Sequence, residues 1–373
     1  MRTELCDRFG IDYPIFAFTP SEKVAAAVTR AGGMGVLGCV RFNHPDELEA
    51  TLQWMDENTL GKPYGVDIVM PAKIPTEGTA VDIDKLIPQA HREFVDKTLA
   101  DLGVPPLPAD LARNEGTLGW LHSVARSHVD VALKHPIKLI ANALGSPPKD
   151  VIDQSHAAGV AVAALAGSAK HARRHVDNGV DIVIAQGHEA GGHTGEIGSV
   201  VLWPEIVDAV GDTASVLAAG GIGTGRQMAA ALALGAAGVW MGSAWLTAAE
   251  YDLGVRQDGG PSVIQKGLLA ATSSDTVRRR IYSGKPARLL KSRWTEAWDT
   301  EGAPDPLPMP LQNVLVAEAH QRMNISADPT AVAMPVGQIV GQMNEIRPVA
   351  DIVAELVAGF EAATRALDDI RDS

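Results

Sequence analysis

The sequence contains little cysteine and few aromatic residues. Cys6 and Cys39 are its only cysteines in 373 residues, and they form no CxxC motif. This scarcity argues against a disulfide framework and a thiolate metal site, and it is typical of proteins in a reducing cytoplasm, where we expect this chain to be. Aromatic residues make up 5%, but 46% hydrophobic and 21% charged residues are ordinary for a globular protein. Intrinsic disorder is therefore excluded.

Positive charge and long hydrophobic runs are also lacking. The chain has 32 Lys and Arg against 45 Asp and Glu, a net charge of −13, with no basic block beyond residues 278–280. A nucleic-acid backbone is therefore an unsuitable main partner. The N-terminus reaches Asp7 before any apolar run, which argues against a signal peptide. The most apolar stretch, 215–249, is interrupted by Arg226 and several glycines, so we expect a soluble protein with no membrane partner.

Short apolar or β-branched runs alternate with Ala-rich helical stretches along most of the chain. This rhythm predicts βα units around a parallel sheet, with Thr224 and Gln227 forming a capping box at one helix start. Eight units over roughly 250 residues is the size of a closed (β/α)8 TIM barrel, and a doubly wound open sheet is the alternative. The predicted strands are residues 14–17, 35–37, 64–69, 137–141, 160–165, 181–185, 215–219 and 238–241.

Two segments depart from this rhythm. Residues 71–119 carry a helical pattern and then a Pro-rich run, which predicts an insertion after the third strand of the kind that shapes a substrate entrance. Residues 254–373 contain a Pro-studded stretch and two late helical patterns, at 312–323 and 349–367. We therefore divide the chain into a barrel, residues 1–253 with its insertion, and a helical C-terminal appendage, residues 254–373, packed on it.

The most unusual segment follows the sixth predicted strand and reads QGHEAGGHTG over residues 186–195. At the C-terminal end of a barrel strand, glycines let backbone N–H groups approach a ligand, and an imidazole is suited to proton transfer near neutral pH. A flexible turn with exposed histidines is the simpler alternative. A zinc-protease site is rejected because His193 follows His188 by five residues instead of four, and glycines would break the helix. His171 and His175 flank two arginines, which indicates a solvated helix face.

Two glycine-rich turns follow the seventh and eighth predicted strands. Gly220 and Gly221 lead into the capped helix, and Gly242 and Ser243 end the next strand. Amide groups beside a helix N-terminus form an anion site, and (β/α)8 barrels commonly hold a phosphate at these two loops. The pair predicts a phosphate-bearing cofactor, while tight packing without a ligand is the alternative.

Two further groups lie at predicted strand ends. Phe18 and Thr19 follow the first strand, where they could lie under a flat ring. Asp67 places a carboxylate in an apolar strand, where burial without a partner would be costly, so a polar ligand or a buried hydrogen bond is expected. No Gly-x-Ser-x-Gly elbow occurs. Glycines, amides and one or two imidazoles suit a cofactor enzyme better than one with a covalent nucleophile.

Four segments together resemble the nitronate monooxygenase (2-nitropropane dioxygenase) family of FMN-binding (β/α)8 barrels. They are residues 32–35 (GGMG), 186–195, 219–222 (AGGI) and 241–243 (MGS). The resemblance extends from about residue 5 to 290, and the EAGGH turn at 189–193 is its most specific element.

This resemblance implies a non-covalently bound FMN. Its phosphate would lie on amides near Gly192, Gly221, Gly242 and Ser243, and its isoalloxazine ring over Phe18 and Thr19. The other residues assigned to the cofactor are Asp67, Gln186, Gly191 and Gly220, and no metal is expected. His193 corresponds to the family's base, which removes a proton from the carbon next to a nitro group. The flavin then takes an electron from the nitronate, and O2 completes the reaction.

Other features resemble an actinobacterial branch of the family, some of whose members act on CoA thioesters in steroid-ring degradation. These features are residues 16–19 (FAFT), the insertion and residues 294–298 (WTEAW). The alternatives are therefore an FMN-dependent enzyme acting on the C=C bond of a CoA thioester, an NAD(P)H:quinone reductase, and a flavin-binding sensor without turnover. The expected partners are a nitronate or an acyl-CoA, together with O2 or NAD(P)H. Whether the chain forms a homodimer is left open.

Overall fold

The computed structural model describes residues 1–70, 83–109, 111, 122–254, 256 and 259–373. The parts of the predicted insertion at 71–82, 110 and 112–119 lie outside the described residues. No helix in the described part of the chain is both long and apolar enough to cross a bilayer.

Eight parallel strands close into a barrel, which confirms the predicted (β/α)8 fold. The first and last barrel strands pair with Ala17 opposite Met241, so the sheet has no free edge. All eight predicted strands are present, with boundaries shifted by at most two residues. The barrel strands are β1 (Ile15–Thr19), β2 (Met34–Gly38), β3 (Gly65–Asp67), β4 (Leu139–Asn142), β5 (Ala161–Ala166), β6 (Ile182–Gln186), β8 (Ser215–Ala219) and β9 (Gly238–Met241).

The described helices surround this barrel and cover its two ends. The helix starts follow local capping chemistry: the Ser21 side chain accepts from the Val24 amide, and the predicted capping box of Thr224 and Gln227 is confirmed. The helices are α1 (Glu4–Phe9), α2 (Glu22–Arg30), α3 (Pro45–Asn58), α4 (Gln89–Asp101), α5 (His122–Ala132), α6 (Lys149–Ala157), α7 (Ala169–Asp177), α8 (Ser199–Val210), α9 (Gly225–Ala233), α10 (Val263–Ala270), α11 (Arg293–Ala297), α12 (Leu311–Ile325) and α13 (Val349–Asp372).

The barrel interior is filled at the end where the strands begin. Leu5 and Phe9 of α1 pack with Phe16 of β1 and with inward-facing residues of the other strands, and the Phe9 and Phe16 rings meet edge to face. Because α1 closes this end, a ligand can reach the strands only from their C-terminal ends, where barrels of this type hold their active sites.

The tail contains more than the two predicted helices, which correspond to α12 and α13. It also forms an antiparallel hairpin of β10 (Thr276–Arg279) and β11 (Ala287–Leu290), and β11 pairs with a short strand, β7 (Gly192–His193), in the loop after β6. The helical appendage therefore also contains a hairpin, which gains its third strand from the barrel loop. The tail thereby reaches the expected active site.

The remaining tail helices pack against two different parts of the chain. Val316 of α12 lies in one apolar cluster with Leu99 of α4 and with Trp294 and Trp298, so the described part of the insertion and the tail share a core. Helix α13 instead packs between α9 and α2, beside the point where β9 meets β1. The division of the chain at residue 253 stays a prediction.

Candidate active site

Four loops that carry predicted site residues lie next to each other. The barrel order places β6, β8, β9 and β1 side by side, so the loops after these strands meet at the C-terminal end of the barrel. The first three loops contain His193, Gly221 and Ser243, respectively, and Thr19 is the last residue of β1. The fold therefore brings together residues that are more than 200 positions apart in the sequence.

His193 is held by the tail hairpin. It pairs with Ala287 of β11, and its Nε2 lies 2.6 Å from the Ser283 Oγ. The Lys285 amide donates to the same Oγ over 3.4 Å, which orients the hydroxyl. Two contacts therefore fix the imidazole: the β7–β11 pairing holds its backbone, and the Ser283 hydroxyl holds its ring.

The environment of His193 keeps its ring neutral. Burial lowers its pKa to about 4, and the nearby Lys285 ammonium adds to the decrease. Both effects disfavour the imidazolium, because it would be poorly hydrated and would face a like charge. The pKa of His193 therefore lies below the ordinary histidine value expected from the sequence, and the neutral ring keeps the lone pair that a base needs.

His193 and Gln186 line one cavity of about 730 Å³. The cavity begins at the ends of β4, β5 and β6 and continues along α7. Leu144, Leu165 and Pro286 contribute apolar wall. The described structure therefore has an open space beside the predicted base, which a cofactor and a substrate would share.

Glu189 and His188, two other polar residues of the 186–195 loop, hold the loop itself. The Glu189 carboxylate accepts from the Ser199 amide at 3.1 and 3.3 Å, which caps the N-terminus of α8. The His188 Nδ1 lies 3.1 Å from the Gly195 carbonyl oxygen, and the Arg288 guanidinium donates to the His188 carbonyl. Glu189 and His188 thus hold the loop in shape, and of the two histidines in this loop His193 is the one that lines the cavity.

The predicted phosphate turns have the backbone conformation that glycine permits. Gly192, Gly220 and Gly221 have φ values of 74°, 93° and 70°. In the described part of the chain, the amides of Gly221 and Ile222 donate to no protein acceptor. Free amides on a left-handed glycine turn beside the N-terminus of α9 are suitable partners for a phosphate.

A tail loop contacts the other phosphate turn. The Ser243 Oγ accepts from the Gly337 amide over 2.9 Å. A Cβ added at Gly191 would lie 2.8 Å from the Gly337 nitrogen, so these backbones touch. The loops after β6 and β9 are therefore linked through Gly337, a contact that sequence reasoning missed.

Phe18 and Thr19, two of the residues expected near the flavin ring, lie at the end of β1, next to the end of β9. The Phe18 ring stacks on Trp240 with centroids 6.2 Å apart, and a Cβ added at Gly242 would lie 3.6 Å from the Phe18 Cδ1. Thr19 is buried, and its Oγ1 accepts from the Ser21 amide over 3.2 Å. Its hydroxyl thus accepts one hydrogen bond within the protein.

Asp67 ends β3 and is only 2% exposed. Burial raises the pKa of its carboxyl to about 7. The carboxyl makes no hydrogen bond or ion pair with another described residue. A buried carboxyl without a partner among the described residues fits a group that contacts a polar ligand.

These observations fit a flavin mononucleotide. Free amides, glycine turns and a buried polar side chain are what a phosphate and a polar aromatic ring require. Sequence reasoning did not find Ser283, Lys285 or Gly337, because single residues some 90 to 150 positions from the motif give no local signal.

A model of the nitronate monooxygenase family matches residues 2–359. The chain belongs to the nitronate monooxygenase family. The resemblance found in the sequence is therefore confirmed, and this family member is an enzyme, an oxidoreductase. Proteins of the family depend on flavin in general.

Individual relatives cover nearly the whole chain. The Mycobacterium tuberculosis protein Rv1533, provisionally named a monooxygenase, is 48% identical and spans 96% of both chains. A nitroalkane oxidase structure from Streptomyces ansochromogenes has a TM-score of 0.79 at 26% identity and covers 97% of this chain and 99% of its own. FabK from Thermotoga maritima has a TM-score of 0.74 at 27% identity and covers 99% of both chains.

Proposed function

We propose that this family member is an FMN-dependent enzyme that oxidises nitronates and nitroalkanes with O2 and uses His193 as its general base. The observation that carries the proposal is the position of His193, which lies beside a large cavity at the end of β6 with its ring held by Ser283. Membership of the family and the nitroalkane oxidase neighbour support the reaction class. A cytoplasmic location and a homodimer stay predictions.

The proton transfer is the part of the reaction that this chain would perform itself. A neutral imidazole at His193 takes the proton from the carbon next to the nitro group, and the C–H electron pair remains on the substrate as a nitronate. Its pKa of about 4 keeps the base deprotonated at neutral pH. The contact with Ser283 holds the ring, so its orientation is set before the substrate arrives.

The cofactor would be bound by backbone groups more than by charges. Amides at Gly192, Gly221, Gly242 and Ser243 would receive the phosphate of FMN, supported by the left-handed turns at Gly192 and Gly221. Phe18, Thr19, Asp67 and Gln186 would lie toward the ring, with Gly191 and Gly220 shaping the turns. When bound, the flavin supplies an acceptor for electrons from the nitronate.

The His193→Asn variant tests the base. It should retain FMN and lose about 10²-fold or more in the oxidation of neutral nitroalkanes, the usual scale for a general base, whereas preformed nitronates should be oxidised nearly as before. His188→Asn is the matched control, because His188 holds the loop and should not show this contrast. Full nitroalkane activity of His193→Asn with FMN bound would show that another group is the base.

A second function is favoured by the similarity to FabK and by the size of the cavity. It is reduction or oxidation of a C=C bond next to the carbonyl of an acyl thioester, with NAD(P)H as the electron donor in reduction. A panel of nitronate with O2, NADH with quinone, and acyl-CoA separates these activities. Turnover of acyl-CoA without turnover of nitronate would replace the first proposal with the second.

A further inference from the structure

We infer that the cavity beside His193 has an anion subsite, formed by Arg174 and Lys285, which binds a carboxylate or phosphate at the end of an elongated substrate. This inference rests on the proposed function for the direction in which the substrate lies, with its reacting carbon at His193. The subsite itself rests on the charges that line the cavity.

The lining is positively charged in a chain that is strongly negative overall. Arg126, Arg174 and Lys285 line the cavity, and none of the described residues lining it is an aspartate or glutamate. The whole chain has a net charge of −13. Acidic residues outnumber basic ones in the whole chain, yet the described lining of this cavity contains none. Its positive potential therefore attracts anions.

Only two of these cations are available to a ligand. Arg126 is held by Asp150 in a two-pronged ion pair, with contacts of 2.5 and 3.2 Å. Arg174 and Lys285 are exposed, and neither has a carboxylate within 4 Å in the described part of the chain. The positive potential felt by a ligand thus comes from Arg174 on α7 and Lys285 on the tail turn.

His175 also lines the cavity and could carry a positive charge, but both of its ring nitrogens are hydrogen-bonded within the protein. It is buried, its Nε2 lies 3.0 Å from the Leu165 carbonyl oxygen, and its Nδ1 lies 2.7 Å from the Ser146 Oγ. The carbonyl can only accept, so Nε2 carries the proton and the Ser146 hydroxyl donates to Nδ1. Burial also lowers the pKa of His175, so it contributes no positive charge.

The shape of the cavity sets the length of the substrate. His171 and Arg174 on α7 and Asn178 at its C-cap line it at spacings of three and four residues, a span of about 10 Å at 1.5 Å per residue. Leu144, Leu165 and other apolar residues line the same cavity. A substrate with an aliphatic middle and an anionic end fits these surroundings.

Binding measured without turnover tests the subsite. Calorimetric titration of the FMN-loaded protein uses hexyl phosphate and hexanoate as anionic probes and hexanol as the neutral one. Arg174→Gln and Lys285→Gln should each raise the Kd of an anionic probe by about three- to tenfold, with little change for hexanol, since both partners are partly exposed. Arg173→Gln is the matched control, because Arg173 is an exposed neighbour on α7 that does not line the cavity.

The outcomes separate the two sources of the anion. Tighter binding of hexyl phosphate indicates a phosphate-bearing carrier, and tighter binding of hexanoate indicates a carboxylate substrate. Equal binding of all three probes, or Kd values that Arg174→Gln and Lys285→Gln leave unchanged, would overturn the subsite.

A kinetic comparison connects the subsite to the reaction. The nitronate of 6-nitrohexanoate should have a lower KM than the nitronate of 1-nitrohexane, and this advantage should shrink in Arg174→Gln and not in Arg173→Gln. If neither nitronate is oxidised while the anionic probes bind through Arg174 and Lys285, the proposed reaction fails and the subsite stands.

Discussion

Asp67 provides a test of the site that needs no knowledge of the substrate. Its carboxyl is 98% buried at the end of β3, and burial raises its pKa from 3.8 to about 7. In the unfolded chain the same group has an ordinary pKa and ionises freely. The native protein therefore holds a proton that the unfolded protein releases between these two values.

The sign and size of the effect follow from this difference. Since the native pKa is raised, rising pH favours the unfolded state, and the loss of stability develops between about pH 3.8 and 7 and is complete above that range. The difference of about three pH units between the two pKa values of Asp67, at 1.36 kcal/mol per unit, corresponds to about 4 kcal/mol in the free energy of unfolding. Asp67→Asn, which resembles the protonated acid, should match the wild type near pH 4 and be more stable by up to about 4 kcal/mol at pH 8.

Urea unfolding from pH 3 to 8, at one fixed FMN concentration, measures this difference. Asp252→Asn is the control of opposite sign, because Asp252 pairs with Lys23 at 2.8 Å and its pKa is lowered. That variant should lose stability at neutral pH, and its deficit should shrink as the pH falls below about 4. If the free energies of unfolding of Asp67→Asn and the wild type run parallel across this range, the carboxyl is ionised in the native protein and the argument is refuted.

Two further variants test the cofactor turn and the base. Gly221→Asp should lose flavin absorbance on desalting, because its carboxylate would repel both the phosphate and Glu189, whose side chain lies 3.2 Å from an added Cβ. Gly159→Asp is the control: Gly159 has a similar φ of 72° but open space around it, so this variant should stay yellow. Lys285→Gln should raise the pKa of His193, so the acidic limb of the kcat/KM profile for a neutral nitroalkane should move to higher pH. An unmoved limb would show that Lys285 does not act on the base.

The barrel could be predicted from the sequence because each strand has its own apolar or β-branched run. Residues 215–219 and 238–241 were predicted with the boundaries that the structure has, since both runs are bounded by polar or glycine-rich turns. The motif at 186–195 likewise marked its own position, because glycines and histidines rarely follow a buried strand together. Each of these features is formed by residues that are close together in the sequence, so a short sequence pattern is enough to predict it.

The features that were missed depend on contacts between distant segments. The strand Thr276–Arg279 contains two arginines and is only half-buried, so its pattern resembles an exposed loop until β11 and β7 pair beside it. His175 was expected on a solvated face because arginines precede it, yet the carbonyl of Leu165 draws it inward. The partner of His193, Ser283, lies 90 residues away and no spacing rule connects the two.

The position of α13 has a consequence for how the protein is made. Helix α13 fills the space between α9 and α2, next to the seam where β9 meets β1, although about 100 residues separate it from β9. During synthesis the two ends of the sheet can meet long before this helix leaves the ribosome, and at 5 to 20 residues per second that interval is roughly 5 to 20 seconds. For that time the apolar faces of α2 and α9 stay open to water, which makes the nascent barrel a substrate for chaperones at one defined face.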